Sequence, residues 1–170
     1  MKILTLHQPF ATLMALDAKR FETRGWRTGY RGPLAIHAAQ GLPEQYRALV
    51  ATEPFKSVLA AHGYYAAQVD LPRGAIVCVV DVVEIVSIEA VSPSMVHRRC
   101  YSWMSADGSI TIDPARHEHA FGDFSDGRFA WLTRGVRRLP RPVPCRGYQG
   151  LRDLPPEVER EVLAQLGDGR

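Results

Sequence analysis

The chain has 170 residues and a mass of 19.0 kDa, which is enough for one domain with its own hydrophobic core. Hydrophobic residues make up 46% and charged residues 23%, which excludes a disordered, collagen-like or membrane-spanning chain. The longest apolar run, residues 75–86, contains Asp81 and Glu84 and is too short to cross a bilayer. No export signal is visible and the three cysteines show no paired spacing, so we expect a cytoplasmic protein without disulfides.

The net charge of +3 conceals two basic segments. Gly127–Arg152 contains seven arginines and no acid, and Lys19–Gly32 contains five bases against Glu22 alone. These segments together carry +11, and the remainder of the chain carries −8. Such asymmetry favours an anionic partner, most commonly a nucleic acid. The alternative is that arginines on edge strands only keep the surface soluble.

In the first half of the chain, short strands alternate with short helices. Residues 3–6 predict a strand and residues 9–18 a helix opened by Pro9. Residues 20–26 alternate as a strand does, with Arg20, Glu22 and Arg24 on one face and apolar Phe21 on the other. Residues 34–38 predict a further strand that carries His37. Residues 43–68 predict two short helices, interrupted by a proline and a glycine.

The second half contains the longest predicted strand. Residues 75–88 are rich in Val and Ile, and residues 129–133 continued by 136–139 form another strand pattern. Residues 92–127 are polar and rich in turns, which predicts an ordered insertion or a mobile lid. A helix that begins at Pro155 ends the chain. This order predicts an α+β fold, a small mixed or antiparallel β-barrel with peripheral helices.

Common catalytic and metal-binding motifs are absent. The sequence contains no GxGxxG, GxxxxGK[ST], HExxH or GxSxG pattern. His97-x-x-Cys100 and His117-x-His119 lack the second pair of ligands that a zinc site needs. We therefore expect neither a metal nor a cofactor, and we interpret these histidines as solvent-exposed side chains.

The densest group of charged residues follows the first predicted helix. Lys19, Glu22 and Arg24 match the three charged positions of the Gly-x-Lys-x-x-Glu-x-Arg hallmark, so the chain resembles the ASCH domain, a relative of the PUA fold. Asp17 stands at the position of the hallmark glycine, so the turn that ends the helix is expected to differ from the turn in the family.

The resemblance extends over residues 3–154. It includes residues 6–10, 30–37 and 127–131, whereas 43–68 and 92–127 are weakly covered. It implies one ASCH, PUA-like domain over residues 1–154 with insertions at 43–68 and 92–127, followed by a C-terminal helix and tail at 155–170. It also implies a β-barrel with a cleft that is lined by the motif residues, as in RNA-binding PUA modules.

The motif residues have plausible chemical roles in such a cleft. An arginine fork suits a phosphate or a base edge, a lysine is a compact charge, and a carboxylate can act as a general base. Histidine can carry a proton, and aromatic rings can stack on bases. The candidate catalytic residues are Lys19, Glu22, Arg24 and His37, and the candidate ligand-binding residues are Gln8, Trp26, Tyr30, Arg31, Arg128 and Trp131.

Each of these assignments has a structural alternative. Lys19, Glu22 and Arg24 form an ion-pair cluster at the junction of helix and strand in one interpretation. Trp131 lies in an apolar strand, which favours a place in the core over a stacking surface. Trp26 and Tyr30 lie among charges and glycines, which favours contact with a ligand.

Three classes of function remain open. The first is binding of RNA or a nucleotide in the cleft, where the arginines of residues 127–152 would hold the phosphate backbone of the RNA. The second is a hydrolase that acts on RNA or on a modified nucleoside, as members of the ASCH group do. Related small amidohydrolases place a threonine where Glu22 stands, so their mechanism does not transfer intact. The third is a regulatory module that binds another protein through residues 43–68.

Overall fold

The protein is built on one mixed sheet. The computed structural model describes residues 1–65, 71–88, 102–105, 108–111 and 117–167. In these ranges the strands are β1 (Lys2–Leu6), β2 (Phe21–Arg24), β3 (Gly32–Ala38), β4 (Ala75–Ser87), β5 (Ser102–Ser105), β6 (Gly108–Thr111), β7 (Phe129–Pro144) and β8 (Arg152–Asp153). The helices are α1 (Phe10–Ala15), α2 (Glu44–Leu49), α3 (Phe55–Ala61) and α4 (Pro156–Gly167), with a 3₁₀ turn at Glu118–Phe121.

The six-stranded sheet has the order β2-β7-β4-β3-β1-β8, and β5 and β6 form a separate antiparallel pair. Only β1 and β3 are parallel; the other described pairs are antiparallel. The register of β4 against β7 shifts three times, which lets these long strands bend. The predicted α+β, PUA-like fold is confirmed. The sheet is open rather than a closed barrel, because β2 and β8 are its edges among the described strands.

Apolar clusters cover both faces of the sheet. On one face α1 buries Met14 against Leu34, Ile36 and Trp131. On the other face Val162 of α4 packs with residues of β1, β3, β4 and β7. The C-terminal helix therefore shares a core with the sheet, and the apolar surface that it buries there stabilises the fold.

Helices α2 and α3 form a third cluster beside α1. Its buried members include Val50, just after α2, and Phe55 and Leu59 of α3, which pack with Leu13 and Phe121, while Leu49 of α2 is half-buried. The two helices predicted between residues 43 and 68 are thus present, and both contribute apolar side chains to this cluster.

Most predicted elements lie within a few residues of the observed ones. The first helix is shorter than predicted, since it ends at Ala15 rather than residue 18. The two strand segments predicted at 129–133 and 136–139 are parts of one strand, β7, which continues to Pro144. Nearly half of the predicted insertion at 92–127, including His97 and Cys100, lies outside the described residues.

Candidate functional site

A cleft of about 420 Å³ opens where β1, β2, α2 and the 3₁₀ turn meet. We call it the motif cleft, because the three charged residues of the motif line it. Its described lining consists of Thr5, Leu6, His7, Phe10, Lys19, Glu22, Thr23, Arg24, Tyr46, Ala120, Phe121, Gly122, Asp123 and Arg128.

Lys19 lies at the bottom of the motif cleft, with a side chain only 1% exposed. Its ammonium donates to the carbonyl oxygens of Phe21 and of Phe121, the latter at 2.7 Å. The third neighbour is Glu22 Oε2 at 3.4 Å. The ammonium thus makes two hydrogen bonds and one ion pair, all within the protein. Lys19 therefore joins β2 to the 3₁₀ turn, and its charge is balanced inside the protein.

Glu22 lies between two cations. Lys19 is on one side, and Arg24 Nε approaches Glu22 Oε1 to 2.9 Å as an ion pair without the alignment of a hydrogen bond. The Glu22 side chain is 10% exposed and that of Arg24 is 26% exposed. Arg24 also donates from Nη2 to the carbonyl of Thr5 at 3.2 Å. The carboxylate is thus held at the floor while the guanidinium reaches the open part of the cleft.

The segment 117–128 forms one wall of the motif cleft and is tied to β2. The buried carboxylate of Glu118 accepts the backbone N–H groups of Arg20 and Phe21 at 2.6 and 3.3 Å. Thr23 Oγ1 accepts the N–H of Asp123 at 2.9 Å. These bonds satisfy groups that would otherwise be buried without partners. This end of the predicted insertion is therefore an ordered part of the site.

Arg128 stands at the rim of the same wall, with a side chain 30% exposed. It donates to the carbonyls of Asp123 and Thr23 at 3.1 and 3.3 Å, and its Nε lies 3.3 Å from Asp123 Oδ2. Hydrogen bonds from Ser125 lower the pKa of Asp123, with a smaller contribution from the charge of Arg128. The rim therefore presents an oriented guanidinium beside a carboxylate.

Aromatic rings line the opposite wall. The His7 and Tyr46 rings are stacked with centroids 4.9 Å apart, and Phe10 meets Tyr46 edge to face at 5.7 Å. The Lys19 ammonium lies 5.8 Å from the centre of the Phe10 ring. Sequence reasoning missed these three residues. His7 and Phe10 belong to residues 6–10, which the family resemblance covers, and this could have indicated them. No sequence signal indicates Tyr46, because α2 reaches the cleft only through the tertiary fold.

Four predicted site residues line the motif cleft, namely Lys19, Glu22, Arg24 and Arg128. Gln8 does not: it is fully buried, donates to the carbonyl of Pro72 at 2.6 Å and accepts the N–H of Thr12 at 3.1 Å. Its amide oxygen thus serves the first turn of α1, and its amide nitrogen ties this turn to the segment before β4.

The two predicted tryptophans lie together outside the lining. Trp131 is fully buried in the main core, so its ring has no face open to a base. Trp26 is 37% exposed and meets Trp131 edge to face with centroids 4.7 Å apart. Trp131 thus lies in the core, as its apolar strand indicated, and does not form a stacking surface.

The remaining predicted residues lie elsewhere. The Tyr30 hydroxyl donates to the carbonyl of Pro33, and Arg31 forms a 2.9 Å ion pair with Glu84. His37 is 1% exposed and its Nε2 lies 3.1 Å from the carbonyl oxygen of Cys145. Burial lowers the pKa of His37, and the hydrogen bond to Cys145 offsets part of that effect. The structure does not bring these three residues into the motif cleft.

Asp17 shows why the hallmark has a glycine at its position. Its φ is +55°, in the left-handed region that glycine adopts without strain and that Asp tolerates better than most residues. The turn is kept by a paired contact, since Arg20 donates to Asp17 Oδ1 at 2.9 Å and to Oδ2 at 2.5 Å. The substitution therefore preserves the turn and adds an ion pair.

The described residues hold neither a cluster of metal ligands nor a membrane-spanning helix. Across residues 1–65, 71–88 and 117–167, no three His, Cys, Asp or Glu side chains are grouped closely enough to hold a metal ion. No helix in the described part of the chain is long and apolar enough to span a bilayer.

The fold and the motif together define a class. The mixed sheet with peripheral helices is PUA-like, and the family model described as the ASCH domain matches residues 4–117. That range is about two thirds of the chain, so the protein belongs to the ASCH domain family. The resemblance inferred from Lys19, Glu22 and Arg24 is thereby confirmed. No curated protein matches the chain.

Solved structures agree on the fold. The crystal structure of ASCH from Zymomonas mobilis is similar with a TM-score of 0.50 and 14% identity, covering 96% of this chain and 93% of that one. Crystal structures of two point variants of that protein have TM-scores of 0.47, with 13% and 14% identity. They cover 96% of this chain and 96% and 94% of theirs. At this identity the similarity concerns the fold alone.

Proposed function

We propose that the motif cleft binds single-stranded RNA or a nucleotide. The observation that carries the proposal is the pairing of an aromatic wall, His7 and Tyr46, with guanidiniums at the rim, Arg24 and Arg128. Bases stack on aromatic rings and phosphates pair with arginine forks, which is how single strands are held. ASCH domains are generally thought to bind RNA, which agrees with this chemistry.

The size of the motif cleft suits one nucleotide unit. Its volume of about 420 Å³ lies within the roughly 300–1,000 Å³ of small-ligand sites. A duplex does not fit such a cavity, whereas a base turned out of a single strand does. The proposed ligand is therefore a nucleotide, free or within a flexible strand.

Charge in the motif cleft is distributed in two layers. Lys19 and Glu22 balance one another at the floor, so this pair offers no net charge to an anionic ligand. Arg24 and Arg128 are partly exposed at 26% and 30%, and they reach the space where a phosphate would lie. The floor serves to position Arg24, and the two arginines are the proposed anion contacts.

The test is binding of a fluorescein-labelled, mixed-sequence RNA octamer, followed by anisotropy at several salt concentrations. We expect affinity to fall as salt rises, by about 0.7 log units per log unit of salt for each phosphate contacted. Arg24→Gln should weaken binding at least tenfold, whereas Arg160→Gln on α4 removes the same charge and should not. Absence of binding, or a response independent of salt, would overturn the proposal.

A second candidate function is hydrolysis of RNA or of an acylated nucleoside. It is favoured by one observation, the Glu22 carboxylate at the floor of the cleft, where it could accept a proton from water. The test is incubation with RNA and with acylated cytidine, comparing the protein with Glu22→Gln. Turnover that is lost in Glu22→Gln, with RNA affinity retained, would establish catalysis; intact substrates would leave binding as the function.

Protein binding through residues 43–68 has less support. The larger aliphatic and phenyl side chains of α2 and α3 already pack with α1 and the 3₁₀ turn: Leu49 and Val58 are half-buried, and Phe55 and Leu59 are buried. A docking helix needs an apolar face that the domain leaves uncovered. The structure therefore favours a ligand in the motif cleft over a partner on these helices.

A further inference from the structure

A second groove lies in the loop that follows β7. Its volume is about 700 Å³ and we call it the loop groove. Its described lining consists of Arg146, Gly147, Tyr148, Gln149, Arg152 and Asp153. None of these residues belongs to the proposed site described above.

The loop is held in place by β1 and β3. His37 Nε2 donates to the carbonyl of Cys145, since a carbonyl can only accept, and Thr5 Oγ1 accepts the N–H of Tyr148 at 3.0 Å. Gly147 passes so close that an added Cβ would lie 2.8 Å from His37 Cε1. These contacts position the loop before any ligand arrives, which reduces the cost of ordering it on binding.

The loop groove presents positive charge without a matching acid. Arg146 and Arg152 are exposed, and Arg152 makes only a long 3.4 Å hydrogen bond to the carbonyl of Gln149. The one acid in the lining, Asp153, is paired with Lys2 at 2.7 Å. Both guanidiniums are therefore available for an anion, beside the half-buried ring of Tyr148.

Thr5 connects the two sites. Its carbonyl accepts from Arg24 Nη2 in the motif cleft, and its hydroxyl accepts from Tyr148 in the loop that forms the groove. Thr5 lines the motif cleft, and it bonds to Tyr148, which lines the loop groove. Two sites joined through one residue can take neighbouring units of one flexible chain, whereas a free nucleotide fills only one of them.

We propose that the loop groove binds the nucleotide next to the one in the motif cleft, so that the ligand is a single RNA strand of at least two nucleotides. Arg146 and Arg152 contact its phosphates and Tyr148 supports its sugar or base. This inference rests on the proposed function of the motif cleft.

The experiment compares ligands of two lengths in titration calorimetry: the four nucleoside 5′-monophosphates and an RNA octamer. We expect the octamer to bind at least tenfold more tightly than any monophosphate. The double variant Arg146→Gln, Arg152→Gln should lose at least tenfold in octamer affinity while its monophosphate affinity is unchanged. Its salt slope should decrease by about 1.4, for two lost phosphate contacts.

The matched control is Lys56→Gln, Arg160→Gln, which removes the same charge from exposed positions on α3 and α4. It should leave the octamer affinity unchanged. Both double variants change only exposed side chains. Equal urea midpoints would show that unfolding does not cause the loss of octamer affinity.

Several results would overturn the inference. Equal affinity for octamer and monophosphate would show that the loop groove does not bind RNA, and so would an octamer affinity that survives loss of both arginines. Either result would leave the proposed role of the motif cleft unaffected. Displacement of the octamer by polyglutamate of equal charge, as effectively as by unlabelled RNA, would assign the groove to an acidic protein segment. Absence of binding by either ligand would overturn the proposed function and this inference together.

Discussion

The ammonium of Lys19 lies 2.7 Å from the carbonyl oxygen of Phe121, a residue 102 positions later in the chain. This bond joins the segment just before β2 to the wall that closes the motif cleft. It also explains how a buried lysine remains compatible with a stable core, since Glu22 and two carbonyls surround its charge. The lysine of the motif is thus a residue that assembles the site.

Lys19→Met tests this role, because methionine keeps the apolar stem and removes the ammonium. The carbonyls of Phe21 and Phe121 then lose this donor and Glu22 loses one of its two cations, and we expect the free energy of unfolding to fall by about 3 kcal/mol. The measurement is urea unfolding, together with hydrogen exchange at the Asp123 amide, which should become faster. Lys56→Met on the exposed face of α3 is the control; a similar loss there would contradict the assignment.

The left-handed turn at Asp17 can be tested by comparing two substitutions at one position. Asp17→Gly and Asp17→Ala both remove the ion pair with Arg20, so their difference isolates the backbone. We expect the glycine variant to be more stable by about 1–2 kcal/mol, the cost of a left-handed conformation for a residue with Cβ. Thermal and urea unfolding of both variants provide the measurement. Equal stability would show that the turn relaxes to a different conformation.

Stability should depend on pH through His37. Burial lowers its pKa in the folded protein below the usual 6.5, so the unfolded chain binds the proton more readily. The free energy of unfolding therefore falls as pH drops below about 6.5 and levels off below the folded pKa, with a slope of at most about 1.4 kcal/mol per pH unit. Burial lowers the pKa of His119 too, which adds to the slope in the same direction.

The measurement is urea unfolding between pH 5 and 7.5, roughly spanning the titration of histidine. His37→Gln should give a shallower profile than the unmodified protein, while His62→Gln at an exposed position should not alter it. An unchanged profile in His37→Gln would show that His37 does not contribute.

The aromatic wall makes a prediction about binding. Tyr46→Ala removes a ring from the motif cleft and should weaken RNA binding by about 1–3 kcal/mol, roughly 5- to 150-fold. Tyr46→Phe keeps the ring and should bind within about twofold of the unmodified protein, since stacking does not need the hydroxyl. Octamer anisotropy is the measurement. Equal losses in both variants would assign the effect to the hydroxyl instead of the ring.

Local patterns determined much of the fold. Alternation in residues 20–26 correctly placed Glu22 and Arg24 on one face of β2, because successive strand residues point to opposite sides. The Val and Ile run at 75–88 predicted β4, and the prolines and glycines predicted two short helices before it. The spacing of Lys19, Glu22 and Arg24 was sufficient to predict the family. These features depend on neighbours a few residues apart.

Tertiary structure alone decided which side chains share the motif cleft. Tyr46 and Asp123 are brought to β2 by α2 and by the wall 117–128, through contacts that no local pattern encodes. His37 and Gln8 have the chemistry of site residues, yet long-range hydrogen bonds to Cys145 and Pro72 use them elsewhere. The sequence by itself determined the secondary structure and the motif. The packing of distant segments decided the site, because burial and partners depend on which parts of the chain meet.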